Sequence, residues 1–590
     1  MKLSLWVKVG LRDWPNYVPL APTLKNYQRT DLGPDVTAGL VVGMVTIPQA
    51  VAYAFLAGVP PEAGLYACLV PMVLYAIFGS SKQLVVGPVA VAALMVAATV
   101  SEYAPKYSVH YLQITSILCL QAGLMLLLLR LSRMGGLVNL LSHPVITGFV
   151  NAAAILIIVS QLPAFTGIEV TTTSEPFTTL TQVLAQLGNT QPWVLTFGLL
   201  SLATLIGYPR LVSTLSQRAG NQLSSQSAIT RIGPMLVALV GGGITWLLGL
   251  HNDIPVVGAI PSGLPTLSIP PLDTTFDLDL WIDLLPAAFI IAIISYIESY
   301  SIGATLAARQ QSRVNSHQEL IALGAANVGA AFTGAYPVAG SFSRSSVNYY
   351  AGGRTQVSSL VCALVIVFAL LFLTPLFGYL PHAILAAIVM VSVIGLMDLK
   401  SGREHWALHR EDVITEYATL VGVLFLGVEI GIISGVALSI AFFIRTSSRP
   451  NITQVGRLGE TEHFRSIKRF DVETVTNVLA LRVDENIYFG NAAQIEDKFL
   501  KRAQRRKGTR HLLMVCSSVN MIDATGLQML HRLNASLAET GVKFHMSDIK
   551  GTLLPIVEGA HLADTLSGQI FFTADRAMKH FIAELEEAKA

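Results

Sequence analysis

Long apolar stretches alternate with short polar segments over residues 31–447, whereas charged residues are evenly spread beyond residue 448. A helix that crosses a bilayer needs about 20 mainly apolar residues, and fewer if it is broken or buried within a bundle. The last two apolar stretches are separated only by a tight turn and therefore form a helical hairpin. The pattern predicts fourteen spans, near residues 36–57, 63–79, 87–103, 111–130, 142–163, 191–208, 232–250, 283–306, 317–333, 339–352, 357–379, 381–398, 412–427 and 429–447.

The positions of basic residues test this count independently, because Lys and Arg collect in cytoplasmic loops. Sixteen Lys and Arg lie between residues 31 and 449. If the N-terminus is cytosolic and the chain crosses the membrane fourteen times, both chain ends are cytosolic. Lys106 then faces the outside, and Arg344 lies within a span. The others all fall on the inner side: Lys82, Arg130, Arg133, Arg210, Arg218, Arg231, Arg309, Arg313, Arg354, Lys400, Arg403, Arg410, Arg445 and Arg449.

The spacing of polar and broken positions indicates an internal repeat. Gln49 in the first span precedes Pro88 in the third by 39 residues, and Glu298 in the eighth precedes Pro337 in the tenth by the same 39. Two halves of seven spans have opposite orientations, because seven is odd. Inverted repeats with broken helices at matching positions are typical of secondary transporters whose site lies near the membrane midplane.

The third and tenth spans are interrupted by VVGPVAV and GAYPVAGSFSRSSVNYY. We expect Pro88 and Pro337 to end short extended segments, with half-helices starting just beyond them. Helix N-termini carry partial positive charge and free N–H groups, so two that meet at the midplane form an anion site. Arg344, one turn into the second half-helix, adds a full positive charge. The substrate is therefore expected to be an anion.

Glu298 is the only acidic residue expected well inside a predicted span, where a charge costs at least ~2.5 kcal/mol. In one interpretation it is a structural partner of Arg344. In the other it titrates, because burial favours the protonated acid and a nearby Arg favours the charged form. An anion that occupies Arg344 weakens this second influence. Anion and proton would then bind together, as in symport.

Composition excludes several functional classes. The 590 residues have a mean hydropathy of +0.57 and are 13% charged, against about 25% in soluble proteins. The net charge of +2 and the lack of a basic cluster with interleaved aromatics argue against a nucleic-acid partner. The chain shows no phosphate-binding glycine loop, zinc-ligand spacing or nucleophile–base pair. We therefore expect neither an enzyme nor a cofactor or metal site.

The chain is expected to contain a cytosolic segment at 1–34, a membrane domain at 35–447, a linker at 448–471 and a soluble domain at 472–590. Strand-like and helix-like patterns alternate in this tail, which predicts a sheet covered by helices. The stretch MIDATGL marks one junction between a strand and a helix.

Three long stretches carry a family resemblance: DVTAGLVVGMVTIPQAVAYAFLAGVPPEAGLYACLVP, FGSSKQLVVGPVAV and NSHQELIALGAANVGAAFTGAYPVAGSFSRSSVNYYAGGRTQ. Over essentially its full length the chain resembles the sulfate permease (SulP) family, and within it the proton-coupled sulfate transporters. The resemblance implies 7+7 inverted repeats with core and gate subdomains, a homodimer in the cell membrane, and elevator-like alternating access.

Carried over by position, the resemblance also implies an anion pocket. Many relatives have Phe at the position of Val89, so the size of the pocket stays open. The implied pocket residues are Gln49, Tyr53, Val89, Ala90, Gly340, Ser341, Ser343 and Arg344.

The tail, with MIDATGL at its strand–helix junction, resembles the STAS domain that ends many sulfate permeases. Related bacterial anti-sigma-factor antagonists are phosphorylated on a hydroxyl residue in this loop, and Thr525 occupies the matching place. The alternative is an unmodified residue at a helix start. A cytosolic partner of the tail stays unidentified.

The sequence thus predicts an α-helical membrane protein with an α/β tail that acts as a secondary active transporter of inorganic anions. A proton-coupled sulfate symporter fits best. The alternatives within the same fold are a sodium-coupled bicarbonate transporter and an anion exchanger. An uncoupled anion channel and a signalling scaffold are further alternatives, against which Glu298 argues, because neither needs a titratable group in the membrane.

Overall fold

The structure is a computed structural model, and the chain divides into two compact units, residues 1–437 and 438–590. Arg133, Arg231, Lys400 and Arg403, all expected on the inner side, lie outside the described residues, as do the first 17 residues of the N-terminal segment. The described residues are 18–132, 142–170, 176–218, 232–267, 277–398, 404, 406 and 409–587.

Each of the fourteen predicted spans contains a helix. Eight helical segments of the described chain are long and apolar enough to cross a membrane, and three more are shorter and apolar, so the count of fourteen stays a prediction. The helices are α1 (Leu20–Lys25), α2 (Arg29–Ala57), α3 (Pro61–Tyr66), α4 (Val70–Phe78), α5 (Ala90–Val100), α6 (Val109–Leu131), α7 (His143–Thr166), α8 (Pro176–Ala185), α9 (Pro192–Arg218), α10 (Gly233–Leu247), α11 (Leu278–Arg309), α12 (Ser316–Ala331), α13 (Phe342–Tyr350), α14 (Val357–Phe368), α15 (Thr374–Phe377), α16 (His382–Ile394), α17 (Arg410–Leu426) and α18 (Val428–Ser447).

The first long helix starts earlier than its hydropathy predicts. Gln28 and Asp31 form a capping box, so α2 begins at Arg29, within the stretch expected as a cytosolic segment. Asp35 is fully buried inside this helix. It accepts hydrogen bonds from the backbone N–H and the hydroxyl of Thr355, at 3.1 and 2.6 Å. Because the polar end of α2 is satisfied by another part of the chain, it can be buried.

Close helix contacts in the first unit depend on small residues. A Cβ on Gly64 would lie 2.1 Å from the carbonyl oxygen of Ala50, and one on Gly148 would lie 2.2 Å from that of Glu416. Helices of membrane proteins approach closely where such residues remove the side chain. These contacts hold α3 against α2 and α7 against α17.

The two broken spans meet in a short antiparallel sheet. Its strands are β1 (Val86–Gly87) and β2 (Ala339–Gly340). Val89 is the N-cap residue of α5, and Ser341 is the N-cap residue of α13. The structure therefore contains the predicted extended segments, each followed by a half-helix.

The two prolines do not occupy equivalent places relative to β1 and β2, whose pairing we call the crossover. Pro88 follows β1 directly, as expected, but Pro337 precedes β2, with Val338 between them. The expectation that both prolines end their strands is wrong for Pro337. The antiparallel register, which sets Gly87 opposite Ala339, decides where the strands end.

The second unit is a six-stranded sheet in the order β4-β3-β5-β6-β7-β8, with parallel pairing from β5 to β8 and antiparallel pairing of β3 with β4 and β5. Apolar clusters cover both faces. Its elements are β3 (Ile452–Arg457), β4 (Phe464–Ser466), β5 (Val478–Val483), α19 (Ala492–Arg505), β6 (His511–Val515), α20 (Ala524–Glu539), β7 (Lys543–Ser547), α21 (Leu554–Gly559), α22 (Leu562–Thr565), β8 (Ile570–Phe571) and α23 (Ala574–Glu587).

The stretch expected as a linker, residues 448–471, contains β3 and β4. These strands form an antiparallel hairpin that adds to the edge of the sheet beside β5. The stretch VLALRVDENIYFG that follows contributes the single strand β5. Short edge strands carry polar side chains on one face, so they resemble loops until a partner strand is known.

Two buried histidines form a hydrogen-bonded chain in the second unit. The backbone N–H of Gln569 donates to Nδ1 of His545 at 3.0 Å, so Nε2 of His545 carries the proton and donates to Nδ1 of His511 at 3.1 Å. Nε2 of His511 lies 3.6 Å from a carboxylate oxygen of Glu584. Burial, together with His511 and the nearby basic side chain of Lys543, lowers the pKa of His545 to about 3. Burial also lowers the pKa of His511.

Acid is expected to destabilise this unit through His545. The pKa of His545 is about 3 in the folded unit and about 6.5 in the unfolded chain. The contribution of neutral His545 to the free energy of unfolding is therefore complete above pH 6.5. It is lost as the pH falls toward 3, by up to about 1.4 kcal/mol per pH unit. His545→Phe should lower stability at pH 7.5 but flatten this dependence. Hydrogen exchange of β6 and β7 in the full chain measures the effect. The exposed His463, replaced by Gln, is the control, and an unchanged slope in His545→Phe would contradict the prediction.

Candidate functional site

A cleft lies between the first turns of α5 and α13. Its empty volume is about 350 Å³, including the space at its open mouth. Elements from distant parts of the chain form its wall: α2, α5, α11, α13 and α16. The lining residues are Tyr53, Val89, Ala90, Val91, Glu298, Ser341, Phe342, Ser343, Ser392 and Leu396.

Two helix N-termini border this cleft. The first turns of α5 and α13 leave N–H groups without partners inside their own helices, and the dipoles place partial positive charge there. The hydroxyl oxygen of Ser341 accepts the backbone N–H of Arg344 at 3.5 Å. The hydroxyl proton of Ser341 is thus left to donate to a ligand. The arrangement suits an anion.

Glu298 on α11 brings a carboxylate into the same cleft. No ion pair within 4.0 Å joins it to Arg344 or to another basic side chain of the described residues, although Arg344 acts on it electrostatically. A direct ion pair, one of the two interpretations drawn from the sequence, is therefore not observed in this conformation. An ionised Glu298 would repel an anion in the cleft.

Arg344 is fully buried and lies behind the cleft. Its Nη2 donates to the carbonyl of Pro88 at 2.7 Å, whereas Nε and Nη1 have no hydrogen-bond partner among the described residues. A Cβ on Gly87 would lie 3.3 Å from Nη2, so the guanidinium packs directly against the backbone of β1. Its full positive charge sits close behind the N-terminus of α13 with two donors unused.

Two further predicted site residues also lie outside the cleft lining. Gln49 is buried in α2, next to Pro48, and its Oε1 has no partner in the described part of the chain. Gly340 lies in β2, and its N–H donates to the hydroxyl oxygen of Ser299 at 2.7 Å. The cleft therefore brings together Tyr53, Val89, Ala90, Glu298, Ser341 and Ser343, whereas Gln49, Gly340 and Arg344 are not part of its lining.

Four cleft residues were not predicted. Phe342 directly follows the cap of α13, and Val91 is the second residue after the cap of α5, so the predicted helix starts could have indicated them. Ser392 and Leu396 come from the end of α16, and no local signal marks them, because an apolar helix with one serine looks like any membrane span.

Side chains hold the crossover on the side of β2 that faces away from β1. The amide of Asn327 accepts the N–H of Val338 at 2.9 Å and donates to its carbonyl at 3.1 Å. Ser299 accepts the N–H of Gly340. Asn327 and Ser299 are both buried. The backbone at this depth is thus satisfied by protein groups, as a non-helical segment in a membrane requires.

A second carboxylate, Glu319, is fully buried at the start of the predicted span 317–333 rather than well inside it. Glu319 in α12 accepts hydrogen bonds from the Tyr75 hydroxyl at 2.6 Å, the Ser80 N–H at 2.9 Å and the Ser80 hydroxyl at 2.8 Å. These bonds tie α12 to the end of α4. Glu319 does not line the cleft and acts as a structural brace.

In the second unit, Thr525 is exposed on the first turn of α20. The helix cap is Asp523, whose carboxylate accepts the N–H groups of Gly526 at 2.7 Å and Phe489 at 2.9 Å. Thr525 therefore does not cap the helix, and its modification stays a prediction.

The sequence profile of the sulfate permease family matches residues 32–419, and that of the STAS domain matches residues 469–577. Probable sulfate transporter 4.2 from Arabidopsis thaliana is 32% identical over 91% of this chain and 79% of that protein. A probable sulfate transporter from Mycobacterium tuberculosis is 32% identical over 96% of this chain and 98% of that protein.

A solved structure has the same architecture. It is the murine Solute Carrier 26 family member A9 anion transporter in the inward-facing state, with a TM-score of 0.87 over 96% of this chain and 94% of that chain, at 24% identity. This likeness concerns the fold. Together with the profile matches it confirms the predicted helical membrane domain followed by an α/β STAS domain.

Proposed function

This chain belongs to the sulfate permease family of membrane transporters, and from that premise we propose that it is a secondary active transporter of inorganic anions, specifically a proton-coupled sulfate symporter. The observation that carries the proposal is the cleft in which the N-termini of α5 and α13 meet a carboxylate, Glu298. Relatives named as sulfate transporters support sulfate as the cargo.

The cleft offers hydrogen-bond donors from several directions. Backbone N–H groups come from the first turns of α5 and α13, and hydroxyls come from Tyr53, Ser341 and Ser343. The hydroxyl of Ser392 already donates to the carbonyl of Ile388 at 2.7 Å. A tetrahedral oxyanion has four acceptor oxygens that can use donors arranged around it. Val89 and Val91 form apolar parts of the wall. Arg344 contributes positive charge from behind, and its Nε and Nη1 have no hydrogen-bond partner among the described residues.

Glu298 makes anion binding depend on the proton. In the ionised state its carboxylate repels a dianion, and in the protonated state this repulsion is gone while an O–H donor is gained. Low external pH therefore favours loading of both together. Release of sulfate toward the more alkaline interior lets Glu298 give up its proton there.

The remaining parts of the proposal follow the family. We place the protein in the cell membrane, with both termini in the cytosol, as a homodimer of 7+7 inverted repeats. Elevator-like movement would carry the cleft residues of α2, α5, α11 and α13 past α16. The cleft supports this division, because the other elements in its wall form two repeat pairs, α2 with α11 and the two half-helices α5 and α13, to which α16 does not belong.

Uptake of radiolabelled sulfate into proteoliposomes, with an inward proton gradient or none, tests the proposal. Gradient-driven accumulation is the expected result. Uptake that needs a sodium gradient or an internal counter-anion instead would favour the bicarbonate or exchange alternatives. Current far above the turnover of a carrier would indicate a channel.

Gln49→Ala is expected to weaken sulfate binding by roughly 2- to 10-fold, because a neutral hydrogen-bonding group contributes about 0.5–1.5 kcal/mol. The loss should be smaller than that for Arg344. Gln121→Ala is the matched control, since Gln121 is also buried in the first unit with an unpartnered Oε1. Equilibrium binding measures both variants. A larger loss for Gln49 than for Arg344 would mean that the binding site lies elsewhere.

A further inference from the structure

We propose that Ser299 is a positioning residue that couples the carboxylate of Glu298 to the anion-binding end of α13. The inference rests on the proposed proton-coupled transport. It adds a residue whose side chain does not line the cleft but which ties the element that carries the proton to the element that holds the anion.

The Ser299 hydroxyl makes two hydrogen bonds, one within α11 and one that connects α11 to β2. Its hydroxyl donates to the carbonyl of Ser295 at 2.5 Å, one turn earlier on α11. The hydroxyl oxygen is thereby left to accept the N–H of Gly340 at 2.7 Å. Glu298 precedes Ser299 and Ser341 follows Gly340, and both of these neighbours line the cleft. One buried hydrogen bond thus joins the residues that adjoin the carboxylate and the cap of α13.

Asn327, the other side chain that holds this part of the crossover, does not connect the carboxylate of Glu298 to the start of α13. Asn327 binds the backbone of Val338, but it lies on α12, which contributes no residue to the cleft. Among the side chains of the described residues that hold β2 and Val338, Ser299 is therefore the one whose helix also carries a cleft residue. Asn327 can keep the crossover folded while Ser299 sets its distance from Glu298.

That distance determines the strength of coupling. The energy between the carboxylate and a bound anion falls with their separation, and the carboxylate also interacts with the Arg344 guanidinium of α13 and with Tyr53 of α2. With the hydrogen bond in place, α11 and the N-terminus of α13 keep one spacing, so anion binding and protonation strongly affect each other. Without it the two elements can separate, and the mutual effect weakens.

The test is the pH dependence of sulfate affinity in the purified full chain, measured as sulfate-induced thermal stabilisation at a series of pH values. With one linked proton, affinity in the wild type should fall about tenfold per pH unit above the range in which Glu298 is protonated. Ser299→Ala should reduce this to less than about threefold. Ser299→Thr, which keeps the hydroxyl, should retain the wild-type slope.

Ser295→Ala is the matched control, because Ser295 is buried on the same helix one turn away and only its backbone carbonyl takes part in the tie. It should keep the wild-type slope. Ser299→Cys keeps the volume with a weak acceptor, so an intermediate slope is expected even if Ser299→Ala does not fold. A wild-type slope in both the Ala and the Cys variants overturns the inference alone. A flat profile in the wild type overturns the proton coupling itself, and the inference with it.

Discussion

Arg344→Ala is expected to abolish sulfate transport and to weaken sulfate binding by roughly 30-fold to several thousand-fold, the equivalent of about 2–5 kcal/mol. Arg344 carries the full positive charge nearest the cap of α13 and is fully buried. Its loss removes the attraction for a dianion and leaves the carbonyl of Pro88 without its donor. Binding at equilibrium and uptake into proteoliposomes measure the two effects.

Arg344→Lys should bind sulfate with intermediate affinity, because an ammonium keeps the charge but not the planar set of donors. Arg354→Ala is the matched control. Arg354 belongs to the same unit, but its side chain is 55% exposed and pairs with Asp31, so affinity should be unchanged. Thermal melting without sulfate shows whether each variant folds. Wild-type affinity in folded Arg344→Ala would remove this residue from the binding mechanism.

Glu298→Gln is expected to bind sulfate at all pH values tested but to lose proton-driven accumulation. The amide resembles the protonated acid in shape and charge, so the repulsion of a dianion is absent permanently. The wild type can accumulate sulfate up to about tenfold per pH unit for each net coupled proton, since one pH unit corresponds to about 1.4 kcal/mol. In the variant the internal concentration should only reach the external one.

Uptake at fixed membrane potential with an imposed pH gradient measures this difference. Asp283→Asn is the matched control, because Asp283 lies on the same helix, α11, but is exposed and distant from the cleft lining. Its accumulation should equal that of the wild type. If Glu298→Gln accumulates sulfate as the wild type does, the coupling proton binds elsewhere.

The predictions from sequence succeeded where the signal is local. Hydropathy placed a helix in each predicted span, because a membrane helix satisfies its own backbone and needs little from its neighbours. The runs around Pro88 and Pro337 were correctly expected to be broken, because Pro, Gly and Ser disfavour a continuous helix. The alternation of strands and helices in the tail is local in the same way.

The predictions failed where a partner decides the structure. β3 and β4 form strands only because β5 offers an edge to pair with, and Asp35 is buried only because a distant segment supplies donors. Ser392 reaches the cleft from α16, about 300 residues after Val89 in the chain. No pattern within one segment contains that information.

The sequence by itself predicts two broken helices and one carboxylate at membrane depth, because the apolar composition of a segment decides whether it can enter the bilayer. The tertiary structure decided which side chains face the cleft. Successive residues of an α-helix point about 100° apart, so Ser343 faces the cleft while Arg344 turns behind it, and Glu298 faces the cleft while Ser299 turns to β2. The packing of the helices against one another sets that rotation, and a residue's place in the chain does not.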